Sequence, residues 1–299
     1  MKIDLFVSRR KALKISQCKL CHGICTQATL SKFENQNRVP SLAILSKLCV
    51  RLGMTVDDLY QEGAATVSEL HTVLDTIERD LMTENYPDAI KRLNTLQLND
   101  IDAIPDKMQF CYLRGLGNAL INQQPDKILF DFSQILNDLD ERHQTIFTQL
   151  AFLGSGVMSA RRQEIKQATF YFEKVNQYIK THQDALKTND DKGFLRMLTL
   201  IFFTAEFYAS QGNYRLSNHL IDAGVHLCSE KRVTYYLPRL KFQATQNALA
   251  QQKDPALIQR LISETLAFAR INQNQVIEVK VAALNCAFKK LREDYSSLA

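Results

Sequence analysis

The sequence predicts an all-α protein in which a small basic domain of short helices precedes a long stack of helical hairpins. Only 10 Gly and 6 Pro occur in 299 residues, of which 45% are hydrophobic, so the turns that a β-rich protein needs are scarce. Apolar side chains recur at helical spacing behind residues that cap helices. Short polar turns recur at similar distances along the second part of the chain. The predicted domains are residues 1–62 and 63–299.

Positive charge is concentrated at the N-terminus. Residues 1–60 hold ten Lys and Arg against four Asp and Glu, a net charge of +6, whereas the whole chain carries +5. Residues 61–299 therefore carry a net charge of −1. Such asymmetry is typical of a nucleic-acid-binding module joined to a neutral domain.

The sequence predicts neither a membrane span nor a signal peptide. Its apolar runs fall short of the ~18–20 residues that cross a bilayer, and charged residues 9–11 interrupt the stretch that a signal peptide keeps apolar. Three of the seven cysteines crowd into residues 18–25, which disfavours a secreted disulfide framework. We expect a cytoplasmic protein with reduced thiols and no membrane partner.

Five short helices are predicted in the first domain. The first ends near Lys14, and the second begins at Gln17 behind Ser16, whose hydroxyl can cap it. Thr26 caps the third, which extends to about Asn35. A fourth follows Pro40-Ser41 and stops at Gly53, and Thr55 caps a fifth short turn over residues 56–60.

Short segments of residues 5–60 form a pattern: Ile15-Ser16-Gln17, Leu30-Ser31-Lys32-Phe33-Glu34, Val39-Pro40-Ser41, Leu52-Gly53-Met54-Thr55 and Asp58-Leu59. This pattern resembles the five-helix, lambda-repressor-like (Xre) helix-turn-helix family. The turn between the second and third helices is one residue shorter than usual, which is similar to the PlcR/Rgg branch of that family. The resemblance implies that the third helix enters the major groove of DNA.

The resemblance also implies roles for individual residues. Those that would face bases are Gln27, Ala28, Thr29 and Lys32, and those that would lie near phosphates are Gln17, Asn37 and Arg38. It further implies an ion pair between Arg10 and Glu34 that belongs to the scaffold. Basic residues such as Lys32 and Arg38 commonly form a plain solvated face, but the charge of +6 favours DNA contact here.

Residues 61–299 contain five similar turns, of which the clearest lies within Leu116-Gly117-Asn118-Ala119-Leu120-Ile121-Asn122-Gln123-Gln124-Pro125-Asp126. This segment resembles the tetratricopeptide pattern of paired helices. The turns are marked by Tyr86, Pro125, Glu164, Tyr214 and Pro255, at separations of 39, 39, 50 and 41 residues. They predict about five helical hairpins, with a polar loop insertion at 182–193. A last helix, Val276 to Arg292, would cap the stack.

In tetratricopeptide stacks the first helix of each hairpin lines a concave groove. The positions expected there are Arg114, Asn118, Asn122, Leu153, Val157, Phe202, Glu206, Gln243 and Asn247. Side-chain amides can pair with the backbone of an extended peptide. The pair Asn118 and Asn122, expected on one helix face, is also compatible with plain surface. The sequence therefore predicts a peptide groove with polar ends and an apolar middle.

The string Cys18-Lys19-Leu20-Cys21-His22 matches that of c-type haem attachment, and Cys25 adds a further potential zinc ligand. Because all of these residues lie in one small helix-turn-helix segment, we interpret them as small packing side chains, with a redox switch as the alternative. We expect no metal and no cofactor. Motifs of phosphate-binding loops, serine hydrolases and zinc proteases are missing from the sequence, so we do not expect an enzyme.

Taken whole, the chain resembles the peptide-responsive quorum-sensing regulators of the PlcR/Rgg (RRNPP) family of Gram-positive bacteria. The resemblance implies a homodimer that binds a near-palindromic double-stranded DNA operator and is switched by a short imported signalling peptide. Residues 232–293 are the expected dimer surface. Two alternatives remain: a constitutive phage or mobile-element repressor whose solenoid serves only dimerisation or protein docking, and a solenoid adaptor or enzyme partner that no longer reads DNA.

Overall fold

The computed structural model describes residues 1, 3–13, 15–182 and 193–297, and the side chains of these residues except 60–68 and 290–297. All regular secondary structure in these residues is helical, which confirms the predicted fold class. The chain divides into two compact units, Met1–Val73 and Leu74–Ala299. The predicted loop insertion at 182–193 lies almost wholly outside the described residues.

The N-terminal unit, Met1–Val73, contains four short helices. They are α1 (Ile3–Ala12), α2 (Gln17–Cys21), α3 (Gln27–Gln36) and α4 (Leu42–Arg51). The predicted fifth helix is a single 3-10 turn, Asp57–Tyr60, that leads directly into α5 (Gln61–Met82). The division between the two units falls within α5, between Val73 and Leu74. The sequence predicted a domain boundary after residue 62, near the start of that helix.

Capping and burial explain these elements. The Ser16 hydroxyl accepts a hydrogen bond from the Lys19 N–H at 3.2 Å, and the Thr26 hydroxyl accepts one from the Thr29 N–H at 3.2 Å, so both predicted caps are confirmed. Gly23, in the turn between α2 and α3, has a φ of 73°, a left-handed conformation that favours glycine. The predicted inward residues of α3, Leu30 and Phe33, are buried in the core of this unit, where the Phe33 ring meets Phe6 edge to face.

The C-terminal unit is the predicted stack of five hairpins. Its helices after α5 are α6 (Tyr86–Leu93), α7 (Ile104–Leu120), α8 (Pro125–Ser133), α9 (Ile146–Arg161), α10 (Ile165–His182), α11 (Gly193–Ser210), α12 (Tyr214–Lys231), α13 (Leu237–Ala250), α14 (Pro255–Ile271) and α15 (Gln275–Ser297). A π-helical segment, Gln134–Leu139, follows α8. All five predicted turn markers lie at or next to the start of the second helix of a hairpin, and α15 is the predicted last helix.

The five hairpin turns share one backbone geometry. Each contains a residue with positive φ, and the next N–H donates to the carbonyl five residues back at 2.8–2.9 Å. This is the Schellman arrangement that ends α-helices. The positive-φ residues are Glu84, Asn122, Gln163, Gly212 and Gln252. The prediction that Asn122 lies on the first helix of its hairpin is therefore wrong, because α7 ends at Leu120 and Asn122 is the turn residue.

The hairpins form two layers. The helices α7, α9, α11, α13 and α15 contact one another in succession and form the inner layer, while α8, α10, α12 and α14 pack against them from outside. Close approach is possible where glycine replaces a larger side chain: a Cβ at Gly115 of α7 would lie 2.5 Å from the Phe132 ring of α8.

Candidate functional site

The exposed face of α3 is small, polar and basic. Gln27, Ala28 and Lys32 are exposed, and Thr29 is half-buried with its hydroxyl 2.9 Å from that of Thr26. Lys32 forms no side-chain hydrogen bond or ion pair within the described residues. Three of the four predicted base-facing side chains are thus open to a ligand, and the fourth is engaged in the helix cap.

A hydrogen-bonded network lies behind that face. Both guanidinium–carboxylate contacts of Arg10 with Glu34 measure 2.7 Å, so the ion pair implied by the family resemblance is confirmed. Its bond to Glu34 raises the pKa of Arg10. Gln17 donates to Glu34 at 2.8 Å and accepts a long contact from Gln27 at 3.5 Å. The network therefore joins α1, α2 and α3 and orients Gln17 and Gln27.

Basic residues of this unit fall into two groups. Arg9 donates to the carbonyl of Leu52, and Arg51 donates to the carbonyls of Leu20 and His22 at 2.8 and 2.7 Å. These arginines satisfy carbonyl groups that helix ends leave unpaired. Arg38, by contrast, is exposed and forms no side-chain contact of this kind in the described residues. It directly follows Asn37, whose left-handed backbone (φ 56°) ends α3.

The cysteine segment has no metal-site geometry in the described residues. Cys18 is exposed, Cys21 is buried with its thiol 3.4 Å from the Cys18 carbonyl, and Cys25 is half-buried. Burial raises the pKa of the Cys25 thiol, which opposes thiolate formation. Within the part of the chain that the structure describes, no group of three His, Cys, Asp or Glu side chains is arranged to hold a metal ion.

The predicted groove residues do not form one continuous site. Arg114 and Asn118 lie on the side of α7 that faces α6 and α8, where they line an outer cavity of about 590 Å³. Arg114 donates from Nε to both oxygens of the buried Asp131 carboxylate at 3.0 Å. Both residues were expected in the concave groove. The structure places them instead at a cavity bordered by α6 and α8, where Arg114 pairs with the buried carboxylate of α8.

Asn247 joins two helices. It is buried, and its Nδ2 donates to Ser217 and Asn218 of α12 at 2.8 Å each. Its Oδ1 accepts a hydrogen bond from Gln243 Nε2 at 3.0 Å. The amide of Asn247 is thus occupied by packing between α12 and α13, whereas Gln243 also reaches an inner cavity.

Two cavities within the C-terminal unit bring the other predicted residues together. The first, of about 380 Å³, is lined by residues that include Val157, Arg161, Phe172, Phe203, Glu206 and Phe207. The second, of about 290 Å³, is lined by residues that include Glu84, Phe202, Glu206, Arg239, Gln243 and Lys280. Glu206 borders both, and we call the two cavities together the inner groove. Leu153 is fully buried behind this surface.

Arg239 is the main inner-groove residue that sequence reasoning missed. Its side chain is only 2% exposed, and its guanidinium lies 3.9 Å from the centre of the Phe202 ring. Its Nη1 lies 3.4 and 3.5 Å from the carbonyl oxygens of Leu81 and Met82, at the end of α5. Its Nε lies 3.2 Å from the Glu84 carboxylate. A buried arginine of α13 therefore holds the C-terminal end of α5.

Two further cations and one glutamine contact the same end of α5. Lys280 of α15 lies 2.6 Å from the second oxygen of Glu84. Arg196 of α11 donates to both oxygens of Glu78 at 3.1 and 3.2 Å, and Gln109 of α7 donates to Glu78 at 2.8 Å. We call these contacts the α5 clamp. Arg196, Arg239 and Lys280 each lie more than 100 residues along the chain from the residue that they contact at the end of α5. No local sequence pattern could therefore have predicted the α5 clamp.

Sequence comparison identifies the first domain. Residues 8–59 match the family described as Helix-turn-helix. No curated protein sequence matches the chain. Among the described residues, no helix combines the length and apolar character that crossing a membrane requires.

Comparison of structures covers nearly the whole chain. It is similar to PlcR of Bacillus thuringiensis, solved with the peptide PapR7 and DNA, at a TM-score of 0.61 and 12% identity over 93% of this chain and 98% of that one. It is also similar to ComR of S. thermophilus, solved with DNA and its signalling peptide ComS, at 0.59 and 15% over 95% and 98%. Apo ComR of Streptococcus vestibularis matches at 0.54 and 16% over 95% and 96%. The chain thus has an N-terminal domain similar to the helix-turn-helix family and, along nearly its whole length, the fold of PlcR and ComR.

Proposed function

We propose that the protein is a cytoplasmic, DNA-binding transcriptional regulator whose affinity for its operator is controlled by a short signalling peptide bound in the inner groove. The observation that carries this proposal is the presence, in one chain, of an exposed basic recognition helix and a partly apolar groove. The fold that combines them is that of regulators solved with both DNA and peptide.

DNA recognition is assigned to α3 and its flanks. Gln27, Ala28 and Lys32 are exposed and would face base edges, with Thr29 beside them. Gln17, Asn37 and Arg38 would contact phosphates and fix the register of the helix in the groove. Support comes from the arginine contacts described above, because Arg9, Arg10 and Arg51 belong to the scaffold while Lys32 and Arg38 keep their charges available.

Peptide recognition is assigned to the inner groove. Val157 and Phe202 would accept apolar side chains, while Glu206 and Gln243 offer polar groups between and beside them. Arg114, Asn118 and Asn122 lie outside this groove, and Leu153 and Asn247 support it through packing. An extended peptide needs polar partners for its backbone, and the inner groove supplies them on apolar walls.

The α5 clamp gives the proposed control a route. Glu84, Arg239 and Lys280 line the second cavity of the inner groove, so a peptide there touches the residues that hold the end of α5. The same helix begins at Gln61, within the N-terminal unit. Peptide binding would favour one arrangement of the C-terminal end of α5 over another. Because α5 continues into the N-terminal unit, the favoured arrangement would change the affinity of the DNA-binding domain for its operator.

We further propose a homodimer that binds a near-palindromic operator, because one small domain makes too few contacts for selective binding. The surface assigned to the dimer lies within residues 232–293. Val276 and Val279 of α15 are exposed, as is Ile271 at the end of α14. Val281 packs inward and belongs to the core. Nothing in this assignment requires catalysis.

Recovery of the peptide tests the groove. The full chain, purified from its own host without denaturation, should release one short peptide that mass spectrometry identifies. Ser210 is exposed and lines the first cavity, so Ser210→Trp should fill that space and abolish recovery. The matched control is Ser263→Trp, at an exposed position of α14. A peptide recovered equally from both variants would place the binding site elsewhere, and its absence from the parent would favour a constitutive repressor.

A further inference from the structure

Glu206 is an unpaired carboxylate at the junction of the two inner cavities. It lines both of them and lies about one turn before the C-terminal end of α11. Within the described residues it forms no side-chain hydrogen bond and no ion pair. Most other charged groups of the second cavity are engaged, because Arg239 and Lys280 both pair with Glu84. Glu206 is therefore the carboxylate of the inner groove whose bonding capacity is left for a ligand.

Glu206 lies at the surface of the inner groove, partly surrounded by protein. The side chain is exposed to solvent, yet the surrounding protein desolvates it enough to raise the pKa of its carboxyl above the ordinary value. Arg239, Arg161 and Lys280 act in the opposite direction, and Glu84 adds to the increase. These nearby cations do not offset the loss of water, so the ionised carboxylate depends on the solvent that fills the groove.

A peptide that covers Glu206 removes this solvent. If it presents only apolar or neutral groups there, it leaves a buried charge without a partner, which is strongly unfavourable. If it brings a positive charge, the new ion pair offsets the desolvation and is strengthened by the low-dielectric surroundings. The chemistry of the site thus selects between occupants by their charge.

We propose that Glu206 binds a positively charged amine or guanidinium of the peptide, and that apolar side chains on either side of this group enter the two cavities. The first cavity offers Phe203 and Phe207, and the second offers Phe202 and Phe242. The inference rests on the proposed function. The positive group has two sources in a short peptide: its N-terminal ammonium, or the side chain of Lys or Arg.

A synthetic library of seven-residue peptides, randomised at every position, tests the inference. The library is made with free and with acetylated N-termini, and the peptides retained by the full chain are read by mass spectrometry. The parent should enrich peptides with a positive group flanked by apolar residues. Glu206→Gln should lose at least tenfold of that enrichment, and Glu206→Lys should favour acidic peptides instead. Loss of enrichment on acetylation assigns the charge to the N-terminus, whereas retention assigns it to Lys or Arg.

The control is Glu173→Gln, which removes an exposed carboxylate from α10 in the outer layer and should select as the parent does. For an enriched peptide, affinity should fall as the pH is lowered through the raised pKa of Glu206, since protonation removes the negative partner. Glu206→Gln should lose this pH dependence. Equal charge preference in the parent and in Glu206→Gln would overturn the inference while leaving the groove intact. No retention by the parent would overturn both the groove and the inference.

Discussion

The basic residues of the N-terminal unit differ in whether their side chains are bonded within the domain. Arg10 is held by two 2.7 Å contacts to Glu34, and Arg51 satisfies two backbone carbonyls around the end of α2. Lys32 and Arg38 form no such contacts in the described residues. Net charge alone does not separate these roles, whereas the hydrogen-bond partners do. The charges open to DNA are those that the scaffold does not use.

Substitution of the exposed residues of α3 should weaken operator binding. Gln27→Ala and Lys32→Ala should each cost about 1–3 kcal/mol of binding free energy, the usual value of a good base contact. Fluorescence anisotropy on an operator selected from random duplex DNA measures this loss. Lys47→Ala, at an exposed position of α4, is the control and should bind nearly as the parent does. A folded double variant of Gln27 and Lys32 with unchanged affinity would contradict the assignment of α3.

Arg38→Ala should change the salt dependence of operator binding. Removal of one phosphate contact lowers the slope of log K against log salt concentration by about 0.9. Gln27→Ala is the matched comparison, because an uncharged residue facing a base should leave that slope unchanged. The same anisotropy measurement at four or five salt concentrations decides the point. An unchanged slope in Arg38→Ala would remove this residue from the phosphate-contacting set.

At the scale of elements, the C-terminal end of α5 is fixed by residues that are distant from it in sequence. Its C-terminal carbonyls lie against Arg239 of α13, and Glu78 near its end is bound by Arg196 of α11. Arg196 is 9% exposed and Arg239 is 2% exposed, and each lies over an aromatic ring. Burial of paired charges makes such contacts sensitive to loss of one partner. These buried contacts therefore fix the position of the C-terminal end of α5 within its unit.

Loss of the Arg239 charge should destabilise the protein. Arg239→Met keeps much of the length of the side chain but leaves Glu84 with Lys280 as its remaining partner, at an expected cost of about 3–5 kcal/mol in the free energy of unfolding. Urea denaturation measures this change. Arg92→Met is the control, because Arg92 is half exposed in its pair with Asp80, and loss of such a solvent-accessible pair should cost about 1 kcal/mol or less. Equal effects of the two substitutions would refute the clamp.

The helical hairpins could be predicted from sequence because their determinants are local. Each turn is completed by a hydrogen bond between residues five apart, and the polar turn residues are visible in the sequence. The side of a helix that faces the groove is not a local property. Arg114 is directed by Asp131 of α8, and Asn247 by Ser217 of α12. Expectations for these residues differed from the structure because their partners lie on other helices.

For the whole molecule, the relevant features are the continuity of α5 between the two units and the exposed apolar residues near the C-terminus. The division between units lies inside that helix, so a change at its clamped end has a covalent route to the N-terminal unit. Val279 is 70% exposed and Ile271 is 67% exposed. Large exposed apolar side chains are common in contacts between subunits, and both residues lie on the last two helices. The proposed control by peptide therefore uses the inner groove and α5, while the proposed dimer contact uses exposed residues of the last two helices.

Charge placed on this surface should dissociate the dimer. Ile271→Glu combined with Val279→Glu would put two carboxylates into each half of a twofold contact, and sedimentation should then report a monomer. The control is Val50→Glu, which charges an exposed valine of α4 and should leave the assembly unchanged. If the double variant remains dimeric, the contact lies elsewhere. If the parent is a monomer, the proposed dimer is wrong.

The central claim is that one chain couples a peptide in its inner groove to an operator at its α3 helix. The most direct test is the dissociation constant of the full chain for its selected operator, with and without the peptide recovered from it. The account predicts a shift of about fivefold to 150-fold at saturating peptide, the usual range of coupling between two sites. The direction of the shift tells whether the peptide promotes or releases DNA binding. An operator affinity that stays constant while calorimetry shows the peptide bound would contradict the claim.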